Sequence, residues 1–315
     1  MSGFQPVDSL NSPRFVGVPT FMRLPQAQPG DELDVAIIGV PCDSGSPFRA
    51  GSRFGPNAVR QMSLMLRPIS PYRDHINVFE ALRIADAGDA NVVPGYLMES
   101  LEMAEAALSA IAGQGIVPLA LGGDHSISLP AIRAVAKRHG PVSLVHFDSH
   151  ADTWDSYFGG KRHSAGTPFR RATEEGILDP STSIQIGMRG SLFRPDDVSQ
   201  STALGFQVID TDAALALGPQ ALAERIAARV GGNPVYITYD LDFVDPAFAP
   251  GVGTPEAGGP TAREALAILR AMTPMTIVGC DVVETNPGFD GPGQITALLA
   301  ATVALELLSL IAVSR

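Results

Sequence analysis

Short apolar runs rich in β-branched residues alternate along this chain with longer stretches of helical periodicity. The runs at 35–40, 82–87, 116–121, 142–147, 183–187, 206–209, 235–242 and 276–283 read as strands. Helical patterns fall at 56–66, with Pro56 in the first turn, and at 96–112, 129–138, 169–175, 221–230, 261–271 and 296–313. Gly140 stops the third of these. Near-continuous apolar strands separated by helices predict an α/β fold, a parallel sheet covered on both faces. Residues 1–33 are rich in Pro, Ser and Gln with little periodicity, and predict an arm lying over the surface or against a neighbouring subunit. No repeat, low-complexity linker or break in composition divides the rest, so 34–315 is expected to form one domain.

Composition narrows the classes. Of 315 residues, 45% are hydrophobic and 17% charged, which excludes a disordered chain. A formal charge of -11 argues against nucleic acid or an anionic membrane as partner. The only cysteines, Cys42 and Cys280, make neither a disulfide framework nor a cysteine zinc site. No basic-then-apolar leader opens the chain and no apolar run reads as a membrane span, so a cytoplasmic location is expected.

The chemistry gathers where strands end, which is where open α/β sheets place their sites. The segment VSLVHFDSHADTWD (142–155) runs from a strand into Asp148, His150 and Asp152. Residues two apart in extended chain share a face, so these three are expected to converge. His125 follows strand 116–121 through Gly122-Gly123, and Asp240 and Asp242 end strand 235–242. These six oxygen and nitrogen ligands, with no sulfur, suit two hard divalent ions, and favour Mn²⁺ over thiolate-seeking metals. Two ions about 3.5–4 Å apart can share a hydroxide. Glu284, just past strand 276–283, is placed to bind a cationic group or to close a strand-end salt bridge. Asp124 and Asp245 flank ligands and are expected to orient them. His146 is expected to be a hydrogen-bonded core residue, His139 to complement a helix dipole and Ser126 to cap a helix. There is no GxSxG, GxGxxG or P-loop to support serine-hydrolase, dinucleotide or phosphate chemistry.

GGDHS (122–126), HFDSHAD (146–152), YDLDFVDPAFAPGVGTPEAGG (239–259) and DVVETNP (281–287) together resemble the ureohydrolase family of arginases, agmatinases, guanidinobutyrases and guanidinopropionases. PRFVGVPTFMRLP (13–25), GTPFRRATEEGILDP (166–180) and QIGMRG (185–190) are similar to the bacterial guanidinobutyrase and guanidinopropionase branch. The resemblance implies a three-layer α/β fold around a parallel sheet of about eight strands. It implies two Mn²⁺ ions bridged by hydroxide, attack on a guanidinium carbon, release of urea and an amine, and assembly as a trimer or hexamer. By motif, His125, Asp148, Asp152 and Asp242 would hold the metals with His150 and Asp240 completing the set. Asp152 would also serve catalysis, and Glu284 would accept the N–H groups of a small cationic guanidino substrate.

Two positions depart from the family pattern. A histidine that shuttles protons to the leaving amine usually precedes the glycine that is Gly166 here; this chain has Ala165 there and His163 two residues earlier. Either His163 takes over the role or the shuttle is absent. Trp154 stands where an asparagine is common, which predicts an apolar substrate contact or a cation–π contact. An N-alkylated guanidine or biguanide then becomes an alternative substrate, as in relatives of the metformin-hydrolase type, which imply nickel and a hetero-oligomer of paralogous chains. A second alternative is a non-catalytic subunit serving a homologous partner. Ala165 favours it, and six retained costly polar groups argue against it.

Overall fold

The computed structural model describes residues 3–28 and 30–315. Its strands are β1 (Val35–Val40), β2 (Ile84–Asp89), β3 (Val117–Gly122), β4 (Ser143–Phe147), β5 (Ile184–Met188), β6 (Gln207–Asp210), β7 (Val235–Asp240) and β8 (Ile277–Val283). They form one 8-stranded sheet in the order β2-β1-β3-β8-β7-β4-β5-β6. Every pairing is parallel. The helices are α1 (Gly55–Ser63), α2 (Val78–Ala81), α3 (Leu97–Ala112), α4 (Ser128–His139), α5 (Pro168–Glu174), α6 (Ser199–Leu204), α7 (Thr211–Val230), α8 (Ala262–Ala271) and α9 (Ile295–Val313).

The pleat sorts each strand's side chains into two cores, as alternation requires. On β1, Val35 and Ile37 join one core with Val59, Leu222, Ile268 and Leu307. Ile38 and Val40 join the other with Leu108, Ile132 and Phe169. Helices α1, α7, α8 and α9 therefore cover one face, and α3, α4 and α5 the other. Both faces of the sheet are dry, so its central strands read as unbroken apolar runs.

Three features differ from the sequence reading. Helix α7 begins ten residues before the expected 221, because the Asp210 carboxylate caps it by accepting from Ala213 N–H at 2.8 Å. The helix bends at Gly218-Pro219, the pair that reads as a loop in sequence. Helix α9 is long and apolar enough to cross a membrane, contrary to the reading that no run is, and it is apolar all round because most of it is buried inside the molecule. Lastly, part of the N-terminal arm is core: Phe21, Met22 and Leu24 are buried beside Val59 and Ile84.

The arm is held through a buried ion pair. The Arg60 guanidinium donates to Asp86 through Nε at 2.8 Å and Nη2 at 2.9 Å. Asp86 also accepts from Phe21 N–H at 2.8 Å. Removing Asp86 takes two of the contacts of a buried guanidinium, leaving it Asp89 alone as a carboxylate partner, and strips Phe21 N–H of its acceptor. Asp86→Ala is therefore expected to lower unfolding free energy by about 3–5 kcal/mol, read from the midpoint of urea unfolding, and a loss below about 1 kcal/mol would contradict this account.

Candidate metal centre

Strands β3, β8, β7 and β4 are neighbours at the middle of the sheet, and their carboxyl ends open on the same side. The turn after β3 has no room for side chains. A Cβ at Gly123 would lie 2.0 Å from Cys42 O, and one at Gly122 would lie 2.6 Å from Val283 Cγ1. The glycines thus let the chain's own strands close up, rather than admitting a ligand. The Asp124 carboxylate shapes the following turn by accepting from Ser126 N–H at 2.9 Å and Gly45 N–H at 2.7 Å. Asp124, not Ser126, is the cap.

That turn aims His125 inward, and a chain of donors fixes its tautomer. His125 Nε2 lies 2.8 Å from Thr238 Oγ1, which donates onward to Asp281 Oδ1 at 2.5 Å. Asp281 Oδ2 accepts from Ser128 Oγ at 2.6 Å and Tyr236 OH at 2.7 Å. With its hydroxyl proton spent on Asp281, Thr238 can only accept from His125 Nε2–H, so the ring's lone pair is on Nδ1. Nδ1 faces Asp152 Oδ2 at 2.9 Å, Asp148 Oδ2 at 3.0 Å and Asp240 Oδ2 at 3.2 Å. It has no hydrogen-bond partner among the described residues. A buried lone pair surrounded by carboxylate oxygens is a ligand set for a cation.

Asp148 joins this group to a second one. Its Oδ1 lies 3.4 Å from His150 Nδ1, which is 3.1 Å from Asp242 Oδ2. Asp148, His150 and Asp242 form one set of ligand atoms within 4.8 Å of one another, and His125, Asp148 and Asp152 belong to another. The other Asp242 oxygen is held by Ser149 Oγ at 2.7 Å, and Asp240 Oδ1 accepts from Asp242 N–H at 2.8 Å. The structure thus brings all six expected ligands together, with Asp148 common to both groups. Their convergence does not come from strand alternation. β4 ends at Phe147, and Asp152 is turned inward by a left-handed backbone at φ 51°. His146 stays in the strand as a buried prop, 2.7 Å from Asp148 Oδ2 through Nε2 and 3.0 Å from Gln185 Nε2 through Nδ1.

The electrostatics ask for positive charge. Burial, and then the neighbouring Asp242 and Asp148, push the Asp240 carboxyl well above the usual range. Burial and Asp148 raise Asp152 likewise. Burial opposes charge on His125, yet Asp148, Asp152 and Asp240 reverse that and hold its pKa well above the ordinary value. Two divalent ions fit this donor set of imidazole nitrogens and carboxylate oxygens.

Glu284 stands over the same floor. Its backbone is left-handed at φ 63°, and its N–H donates to Gly123 O at 2.9 Å. Oε1 accepts from His125 N–H at 3.0 Å, while Oε2 is buried with no partner. No arginine or lysine among the described residues pairs with it, so the strand-end salt bridge is not formed. A Cβ at Gly253 would sit 2.8 Å from Oε2, so that glycine keeps the approach open.

These groups floor a cleft of about 620 Å³. Trp154 forms part of its wall, with its ring centroid 4.8 Å from Tyr157 and 5.9 Å from Phe193. Ala165 and Gly166 line the cleft and His163 does not. The His163 pKa is lowered by burial and then by Arg133 of α4 and Arg171 of α5. Of the two alternatives for the shuttle, this placement favours its absence: position 165 carries a methyl group, and His163 is not among the residues lining the cleft. The expectation for Asp245 is corrected. It accepts from Ala247, Gly258 and Gly259 N–H groups at 2.8–3.1 Å and shapes a loop, touching no ligand. Sequence reasoning passed over Thr238, Asp281 and Gln185. A carboxylate inside the apolar run IVGCDVV was the available signal for Asp281.

Comparison with known proteins agrees with this geometry. Residues 33–309 match the Arginase family. Guanidinopropionase from Pseudomonas aeruginosa is 45% identical over 310 residues, covering 98% of this chain and 96% of that one. Among solved structures, proclavaminate amidinohydrolase from Streptomyces clavuligerus superposes with a TM-score of 0.91 at 40% identity, covering 96% of this chain and 100% of that one. A Trypanosoma cruzi formiminoglutamase variant described with Mn²⁺ superposes at 0.79 and 26% identity, covering 90% and 95%. A parallel sheet whose central strand ends carry a shared carboxylate between two imidazoles defines a class of divalent-metal hydrolases. The chain belongs to the arginase family.

The donor chain behind His125 generates a test. Thr238→Val leaves Nε2–H unpaired and the ring free to turn. Calorimetric Mn²⁺ titration is expected to show affinity falling about 10- to 100-fold, and an unchanged affinity would remove the orienting role.

Proposed function

We propose that this protein hydrolyses a C–N bond of a small guanidino compound, giving urea and an amine, with Mn²⁺ as the preferred metal. The observation that carries the reading is Glu284 Oε2, a buried acceptor without a donor, next to a converging set of imidazole and carboxylate ligand atoms. A guanidinium supplies the missing N–H donors. His125, Asp148, Asp152, Asp240, Asp242 and His150 would hold two ions. When bound, such a pair supplies a water-derived nucleophile at neutral pH.

The chain's own part is positioning. Glu284, fixed from behind by His125 N–H, accepts guanidinium N–H groups and holds the carbon at one place above the floor. The surrounding carboxylates stabilise positive charge on the nitrogens as the carbon becomes tetrahedral. Asp152, which lines the cleft, is the group we assign to carry a proton towards the leaving amine, since no imidazole lies at 165. The same donor set admits Ni²⁺ as the alternative metal. Exposed Leu10, Phe15 and Val18 on the N-terminal arm support assembly into a trimer or hexamer, with a paralogous partner as the alternative. A retired, non-catalytic subunit is disfavoured, because both ligand groups and the bare Glu284 oxygen are intact.

Purified protein loaded with Mn²⁺ is expected to release urea from at least one member of a panel of guanidines. Glu284→Gln should lower kcat/KM by about 10²-fold or more while metal content stays near that of the parent. Asp148→Asn should abolish both urea release and retention of the second ion. Fully metal-loaded protein that releases no urea from any guanidine would sink the proposal.

A further inference from the structure

The cleft has one fixed cation. Among the described residues lining it, Arg49 is the only arginine or lysine, against Asp152, Asp240, Glu256 and Glu284. Its guanidinium makes no hydrogen bond or ion pair with any described residue, and lies on aromatic faces instead. It is 4.7 Å from the Phe289 ring centroid and 5.7 Å from that of Phe48. Nearby arginines are treated differently. Arg53 is paired with Asp43, and Arg60 with Asp86 and Asp89. In a chain with 33 acidic and 22 basic residues, leaving the cleft's one arginine without a carboxylate keeps its donors available.

Its place is set from the backbone. Asn286 Nδ2 donates to Arg49 O at 3.3 Å and to Ala50 O at 3.2 Å. A Cβ at Gly253 would meet Glu284 Oε2 at 2.8 Å and Arg49 O at 3.4 Å, so the acidic floor and the Arg49 segment flank the same glycine. Arg49 is thus anchored beside the guanidinium site while its side chain reaches out over the rim.

Between floor and rim the wall is aromatic. Trp154, half-buried, packs edge-on to Tyr157 and tilts against Phe193, and Phe48 and Phe158 stand 75% and 64% exposed at the mouth. A volume of about 620 Å³ lies within the roughly 300–1,000 Å³ of pockets that enclose drug-sized ligands. That is more than a guanidinium on a short alkyl tail needs. Acidic floor, aromatic middle and cationic rim are complementary to a molecule with a cation at one end, a flat apolar body and an anion at the other.

We infer that Arg49 reads the substrate's tail, and that the cleft takes a guanidino carboxylate whose charged ends are separated by an aromatic spacer. The inference rests on the reading that the floor takes the guanidinium. Trp154 is the chain's only tryptophan, so intrinsic fluorescence reports this wall alone. The Mn²⁺-loaded full chain is titrated with 4-(guanidinomethyl)benzoate, its neutral twin 4-(guanidinomethyl)benzamide, 4-guanidinobutyrate and agmatine.

The aromatic acid is expected to bind about tenfold or more tightly than its amide, and more tightly than 4-guanidinobutyrate, with agmatine weakest. Arg49→Gln should bring the acid-to-amide ratio close to one, and Arg49→Lys should retain part of it. A ratio near one in the unmodified protein, a ratio that survives Arg49→Gln, or no response of Trp154 to any of the four overturns the inference. If Arg49→Gln does not fold, the ratios in the unmodified protein and in Arg49→Lys decide. Urea release from the same four compounds is scored separately. A tail preference without urea removes the hydrolytic reading and leaves tail recognition standing, and urea without the preference removes tail recognition alone.

Discussion

Buried negative charge is the constraint on which the rest of this structure turns. Asp148, Asp152, Asp240, Asp242 and Glu284 are all buried at the ends of adjacent strands. Carboxylates out of water and close together are costly, and burial with mutual repulsion lifts Asp152, Asp240 and Glu284 above their usual range. In the function we propose, cations would resolve the conflict for the aspartates, and a guanidinium would resolve it for Glu284. The polar shell around them serves that end. Asp281 is saturated by Ser128, Thr238 and Tyr236, so it adds no unmet demand and instead locks His125 with its lone pair towards the metals.

Sheet order is what concentrates the charge. The strands that carry the site run β3, β8, β7, β4 across the sheet, although chain order separates β4 from β7 by two strands and three α-helices. The central strands are dry on both faces, so a polar group inside them is kept only where it is hydrogen-bonded, as Asp281 and His146 are, and the rest lie at or beyond the strand ends. The same physics that makes the strands apolar therefore pushes every ligand to one rim. Close packing at Gly122 and Gly123 brings β1 and β8 tight against β3, and Glu284 N–H bonds to Gly123 O across that seam. Glu284 and the turn that aims His125 are thus one mechanical unit.

Above the floor the chain has more freedom, and it uses loops. The β4–α5 loop supplies Trp154 and Tyr157, the loop after β5 supplies Phe193, and the loop after β1 supplies Phe48 and Arg49. Reaction chemistry and tail recognition are therefore separable: strand ends hold the first, loops the second. Position 165 shows how far loops drift. It faces the cleft with a methyl group, and His163 stands outside the cleft lining, under the influence of Arg133 and Arg171.

The sequence by itself determined the elements and the ligand types. Apolar runs marked all eight strands to within a few residues, because strands dry on both faces leave a continuous signature. Carboxylates and imidazoles gathered at the ends of three of those runs named the divalent-metal chemistry, since so many together are costly beside a dry sheet without a cation. Tertiary structure alone decided what depends on contacts distant in sequence or on local backbone choice. It put Asp281 behind His125 across more than a hundred residues and left Arg49 unpaired on Phe289. It turned Asp152 and Glu284 inward through left-handed backbone, where for Asp152 strand alternation was the expected cause. It also buried α9, whose composition equally fits a membrane span. Periodicity records the environment averaged along an element, whereas a partner, a rotamer or a positive φ is set by whichever atoms the fold brings alongside.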